Sequence, residues 1–291
     1  MKICLMTDSA SDLTHQIAKE YDVRVLPVTI TYGGKEFKEF EELDIKEYWD
    51  FLENNDEQPT TAQITPVQYM EAFEKAKDDG YDEVICVTIN AAGSGTYNSG
   101  LIARDLFYGE FGEDMKIHMV DSMNYSYAYG SALVRARKMI DEGKSSAEII
   151  EMIQDHSSRV EAAATVFTLR NLKKSGRVSG ASAYVGELLG IKPVIHLCSS
   201  GVNVVDKVRG DKMAVKGLLK FVDGRIDKTA DQSKCACVLH GKTNDEYLIM
   251  VEEFLRENGV EDVLRIPLGG SICTNTGPNI VGIVYFGEKR A

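Results

Sequence analysis

The stretch 84-VICVTINAAGSGTYNSGLIARDLF-107 decides how this chain is read. Residues 84–89 form an apolar run of strand length, and residues 90–96 form a loop of small polar side chains. Tyr97, Leu101, Ile102 and Leu106 then recur at helical spacing. A strand that ends in such a loop and continues as a helix is the repeating step of an open α/β sheet. In such sheets the loops at the strand ends border the ligand site.

The same alternation extends on both sides. Strands are predicted at residues 2–7, 23–31, 83–89 and 115–120, and helices after Ser11, after Pro66, after Thr96 and over 125–140. Thr65 ahead of Pro66, and Ser145 ahead of Ser146, read as helix caps. From Val160 the rhythm changes. An apolar run, VEAAATVFT, precedes a short helical segment, and IKPVIHL–CSSG–VNVVDKVR reads as a hairpin turning at Gly201. Hairpins mixed with helices predict a mixed sheet. The expected architecture is α/β: a Rossmann-like, three-layer parallel-sheet domain over residues 1–159, then a smaller mixed-sheet α/β domain over 160–291.

Composition narrows the function. The 291-residue chain carries a formal net charge of −12, which opposes encounter with nucleic acid or anionic membrane. Its apolar runs fall short of spanning length, so no stable membrane insertion is expected. Asp8 interrupts the N-terminal apolar run before a signal-peptide core could form, and the expected location is the cytoplasm. The cysteines sit inside strand-like runs and behave as small hydrophobes. Cys235-x-Cys237-x-x-His240 has no second ligand cluster, so neither a metal nor another cofactor is expected.

The Ser94 loop is no P-loop, because no Gly-Lys-Ser/Thr closes it, and its glycines lack the dinucleotide spacing. A nucleophile elbow would need glycines where Ala92 and Thr96 stand. Ser94, Asp121 and His240 do close strands in the chain order of α/β-hydrolases, so a serine esterase using Ser94 is the alternative reading. The other reading needs no nucleophile: a hydroxyl, free amides and a helix N-terminus hold one small anion. A plain helix cap at Ser94 or Thr96 fits the loop equally. Three further stretches add donors. They are Thr60, Thr61 and Gln63 before Pro66; Arg209 closing the hairpin; and Ser271, Thr274, Asn275 and Thr276 ahead of Gly277-Pro278. Together they supply many neutral donors and few acids or bases.

In order along the chain stand TDSASDL (7–13), VLPVTI (25–30), SGTYNS (94–99), VDS (120–122), LRNLKKSGRVSG (169–180), LLGIKPVI (188–195), KVRG (207–210) and TGP (276–278). These blocks resemble the DegV family, the fatty-acid-binding proteins that serve bacterial fatty acid kinase. The resemblance implies a two-domain carrier that holds one long-chain fatty acid between its domains, with no catalytic set of its own. A separate kinase would phosphorylate the bound carboxylate to an acyl phosphate, as a step in phospholipid synthesis.

It further implies that the carboxylate lies on Thr61 and Ser94, with Arg209 nearby. The Gly95 and Thr96 amides and Asn275 complete the expected head-group set. Asn275 stands where the family carries His, and Asn279 where it carries Gly; an Asn can hydrogen-bond but carries neither proton nor charge. The tail is expected along Phe167, Leu169, Leu188, Leu189, Val194 and Ile283, with Ala183 and Val185 beside them. Lys173, Lys174 and Arg177, an island of positive charge, read either as a solvated helix end or as a docking patch for the kinase.

Overall fold

The computed structural model describes residues 2–176, 178–179 and 190–290. Four strands, β1 (Ile3–Asp8), β2 (Val23–Leu26), β6 (Glu83–Thr88) and β7 (Lys116–Asp121), form a parallel sheet in the order β2-β1-β6-β7. The order reverses between β1 and β6, so the loops leaving those two strands splay apart and open a crevice.

Strand β1 is buried on both faces, as a parallel strand covered by helices must be. On one face Cys4, Met6, Val84 and Cys86 pack against Tyr69 and Phe73 of α3 (Pro66–Asp78) and Phe107 of α4 (Thr96–Phe111). On the other, Ile3, Leu5, Ile85 and Val87 pack against α5 (Tyr127–Asp141) and α6 (Ser146–Arg159). The caps read from sequence are present. Thr65 and Ser145 each form a capping box, with Gln68 and Glu148 respectively.

The expected strand over 23–31 is instead broken at Pro27, which has no N–H to give a ladder. Beyond it, β3 (Thr29–Tyr32) leaves to join β4 (Lys35–Lys38) and β5 (Thr60–Ala62) in a small antiparallel sheet. That sheet carries Thr61, opposite Ile30. Between them, α2 (Ile45–Asn54) buries Tyr48, Trp49 and Leu52, and Asp44 caps it.

A seven-stranded mixed sheet follows, ordered β13-β12-β14-β8-β10-β11-β9. Its members are β8 (Val160–Val166), β9 (Val178–Ser179), β10 (Ile191–Cys198), β11 (Gly201–Arg209), β12 (Cys237–His240), β13 (Leu264–Pro267) and β14 (Ile280–Phe286). One face meets α5 and α6, and a single apolar cluster runs from β1 through these helices to β8 and β14. The opposite face meets α8 (Asp211–Asp223) and α9 (Asp245–Glu257). Two short helices, α7 (Arg170–Ser175) and α10 (Gly270–Thr276), pack together, and α10 also meets α2, where the Tyr48 hydroxyl lies 2.6 Å from Thr274 Oγ1.

Candidate functional site

A cavity of about 160 Å³ lies at the crevice where the strand order reverses. The loops after β1 and β6 give it Ala10, Ile89, Gly93, Ser94 and Gly95, while β5 and its exit give Thr61, Ala62 and Gln63. Leu197 and Val202, which pair across the β10–β11 hairpin, and Ser271, Ile272, Asn275 and Thr276 of α10 close it.

Helix α4 begins at this cavity. Its N-cap is Gly95, which has no side chain to cap it, so beyond the Thr96 amide its first turn presents amide groups and the positive end of its dipole. Ser94 Oγ lies 2.9 Å from Thr96 Oγ1 and accepts the Thr96 amide at 3.3 Å. Thr96 is fully buried behind Ser94 and lines no part of the cavity. A Cβ on Gly95 would come within 2.1 Å of Gln63 Oε1, and one on Gly93 within 2.8 Å of the Tyr125 hydroxyl. At Gly93 the neighbour is a rigid ring, whereas at Gly95 it is the tip of a flexible side chain that a larger residue would push aside, and neither glycine has a positive φ.

The cavity walls hang on three buried carboxyl groups. Asp8 accepts the Ile89 amide at 2.8 Å, the Ala10 amide at 3.1 Å and the Tyr129 hydroxyl at 2.6 Å. Glu39 accepts the Ser271 amide at 2.7 Å and the Ser9 hydroxyl at 2.5 Å, and Ser9 in turn accepts the Val28 amide. Asp12 accepts the Gly269 amide at 2.8 Å and the Ser126 hydroxyl. Ala10, Val28, Ile89 and Ser271, which all face the cavity, are each fixed by one of these bonds. Burial pushes Asp8 up to about 6 against the Tyr129 and Ile89 bonds, with Glu39 adding to the rise. Asp12 and Glu39 are also raised, chiefly by burial. Asp12 and Ser126 both have positive φ, a strained conformation for non-glycine residues that their mutual hydrogen bond pins.

Of the residues expected at a head group, Thr61, Ser94, Gly95 and Asn275 share this one cavity, and Thr96 supports Ser94 from behind. Asn275 donates to the Ser271 carbonyl at 2.8 Å. Arg209 is exposed at the end of β11, opposite Ile191, and is not among the cavity walls.

None of the described residues expected along the tail lines this cavity. Val194 and Ile283 are fully buried on the opposite face of the seven-stranded sheet, in the cluster beneath α8 and α9. Phe167 lies in that cluster as well, with its ring 5.2 Å from Tyr247. Leu169 packs at the edge of the central cluster and does not line the cavity. Leu188 and Leu189 lie outside the described residues, as do Ala183, Val185 and Arg177. The apolar wall is instead Leu197, Val202, Val28, Ile89 and Ile272. Period-two alternation carried the missing signal: Leu197 sits three residues from Val194 and so on the other face.

The esterase constellation does not assemble through hydrogen bonds. The Asp121 carboxylate accepts the Ala91 and Met123 amides, and the His240 ring packs against Trp49 with Nδ1 3.1 Å from the Gly241 carbonyl oxygen. Neither partners Ser94, whose hydroxyl is engaged with Thr96. Cys235 and Cys237 are buried in the core, where burial raises both thiols. Among the described residues no group of three or more His, Cys, Asp or Glu side chains is placed to hold a metal ion, and no helix is long and apolar enough to cross a membrane. In α7, Arg170 reaches Asp56 and the Leu52 carbonyl, and Lys174 the Asp56 carbonyl, tying that helix to the end of α2.

Comparison with known proteins agrees with this geometry. A family model described as "Uncharacterised protein, DegV family" matches residues 2–288. A DegV domain-containing protein of Staphylococcus aureus is 33% identical over 293 residues, covering 99% of each chain. Among solved structures, one described as "Fatty Acid Binding of a DegV family Protein from Thermus thermophilus" is 28% identical with a TM-score of 0.84, covering 99% of this chain and 100% of that one. A DegV family protein from Eubacterium eligens, loaded with heptadecanoic acid, is 26% identical with a TM-score of 0.82, covering 98% and 100%. With a match that runs nearly end to end and the same fold throughout, the chain belongs to the DegV family.

Proposed function

We propose that this protein binds one long-chain fatty acid in the crevice cavity and carries it without chemistry of its own. The observation that carries the reading is that Thr61 of β5 and Ser94 of the loop after β6, distant in sequence, line one cavity at the N-terminus of α4 beside an apolar wall. A desolvated carboxylate costs several kcal/mol unless its oxygens are hydrogen-bonded. The Thr61 and Ser94 hydroxyls and the first-turn amides of α4 meet that need, with Asn275 at the cavity rim. Each methylene buried along Leu197, Val202 and Ile272 adds roughly 0.8 kcal/mol before association costs. That the Eubacterium eligens relative is loaded with heptadecanoic acid supports a ligand of this class. On this reading residues 1–159 supply most of the head-group site and residues 160–291 the hairpin wall, and a fatty acid kinase takes up the presented carboxylate.

Mass spectrometry of the native protein, before and after delipidation, is expected to find one noncovalent fatty acid per chain. A cavity that returns no lipid from untreated protein, and takes up none on loading, overturns the proposal. With a hydrogen bond to a charged group contributing about 1.5–3 kcal/mol, Thr61→Ala and Ser94→Ala should each weaken fatty-acid binding by roughly tenfold to a hundredfold. Unchanged affinity in both would remove these hydroxyls from the site. A fluorophosphonate should leave Ser94 unlabelled.

A further inference from the structure

A second concavity, of about 950 Å³, lies between α1 (His15–Glu20), α5 and the β12–β13 edge of the seven-stranded sheet, and shares no lining residue with the first. Arg135 lines it from α5. This guanidinium is partly buried, and its hydrogen-bond partner is a neutral ring: Nη1 donates to His156 Nδ1 at 2.9 Å. The tautomer follows from the partners. Arginine is only a donor, so His156 Nδ1 accepts and Nε2 carries the hydrogen, facing the Ala128 carbonyl at 3.1 Å and Ser131 Oγ at 3.0 Å. Full burial and the neighbouring Arg135 charge bring His156 down to about 3, which keeps the ring neutral.

Among the described residues this partly desolvated cation beside a neutral histidine forms no ion pair, although Asp231 lines the same groove. The two carboxylates whose fields reach Arg135 are already engaged: Asp155 with Arg159 and Lys289, Asp231 with Lys234 and Ser233. Lys138, one turn along α5, Lys234 and Arg265 add positive charge to the lining, against Glu20, Asp231 and Asp262. Tyr21, Tyr127, Val134 and Ile266 give the same groove apolar walls. In a chain of net charge −12, an unpaired guanidinium fixed in a walled groove is a local anion site.

We propose that this groove is a second binding site, for an amphiphilic anion that joins one carboxylate or phosphate oxyanion to a small aromatic or aliphatic body. Arg135 grips the oxyanion with the face of its fork left free by His156, and the tyrosines hold the body. Titration calorimetry on the full chain as isolated, with phenyl phosphate, benzoate and inorganic phosphate in turn, tests it. At least one aryl anion should bind saturably with a Kd below about 1 mM and about tenfold more tightly than inorganic phosphate. Preference for phenyl phosphate assigns the oxyanion to a phosphate, and preference for benzoate to a carboxylate. Arg135→Gln should lower affinity by about tenfold or more, and Arg135→Lys by less, because lysine keeps the charge but not the fork. Lys138→Gln, on the exposed rim where folding is not at stake, should lower it severalfold. Fatty-acid loading of the Arg135 variants should match wild type, so the two sites stand or fall separately. Absence of saturable binding by any of the three probes, or binding indifferent to both Arg135→Gln and Lys138→Gln, overturns the proposal.

Discussion

Glu161→Gln is expected to lower the melting temperature by about 6–12 °C at pH 7, at roughly 2–4 °C per kcal/mol and a loss of about 3 kcal/mol. Glu161 sits on β8, the strand between β14 and β10, with 2% of its surface exposed. Its Oε2 accepts from Tyr285 Oη at 2.8 Å, His196 Nε2 at 3.0 Å and Arg225 Nε at 2.8 Å, and Oε1 accepts from Arg225 Nη2 at 2.8 Å. One carboxylate therefore clamps three strands and the chain just after α8. A glutamine keeps the shape but must aim an NH₂ group at donors whichever way it turns, and it strands the Arg225 charge.

The pH dependence follows with a definite sign. Burial alone would raise the carboxyl of Glu161; the His196, Arg225 and Tyr285 bonds outweigh that and bring it down to about 2 from an ordinary 4.5. A depressed carboxyl contributes stability that is fully present above its unfolded value and is lost as the pH falls toward its folded value. The wild-type advantage over Glu161→Gln should thus be constant above about pH 5.5 and shrink steadily below about pH 4.5. Chemical denaturation of both proteins at pH 7 and pH 4 measures it; a gap that is the same at both, or that widens in acid, contradicts the clamp.

What the sequence revealed and what it hid have physical causes. The β1 and β6 strands were legible because they are nearly continuous apolar runs, and α3 and α6 because their caps are local chemistry. Thr61 and Ser94 were named, yet no local pattern says that β5 pairs with β3 and brings Thr61 to the cavity; Pro27 ends the parallel strand and redirects the chain into that sheet. Helix α2 was legible and was passed over: Asp44 caps it, and Ile45, Tyr48, Trp49 and Leu52 recur at helical spacing between Lys46, Glu47, Asp50 and Glu53. The carboxyl groups of Asp8, Asp12 and Glu39 carry no local sequence signal of the cavity-wall bonds they make. Asp8 does cap the following turn, but its second oxygen reaches Ile89, a tertiary contact that spacing cannot announce.

The sheet-face correction gives the second large effect. Leu197→Asp should abolish fatty-acid binding, by at least about a thousandfold, since an unpaired carboxylate in the tail wall costs several kcal/mol to desolvate. The added charge would also repel the ligand carboxylate within the same cavity. Leu197 is buried and belongs to the central cluster as well as to the cavity wall, so the substitution costs stability too, and binding is read only under conditions where denaturation shows the variant folded. Ile283→Val is the counterpart on the other face. Removing one methylene from the cluster under α8 and α9 should cost about 0.5–1.5 kcal/mol of stability and leave the fatty-acid Kd where it was. Displacement of a fluorescent fatty acid from delipidated protein, read beside urea denaturation, separates the two effects. Should Ile283→Val weaken binding while Leu197→Asp retains it, the tail would run on the α8 side of the sheet and the hairpin wall would not be its contact. The alternation along β10 and β14 argues for the reverse: Leu197 and Val284 face the central cluster, Val194 and Ile283 the other, and one strand cannot offer both sets to one ligand.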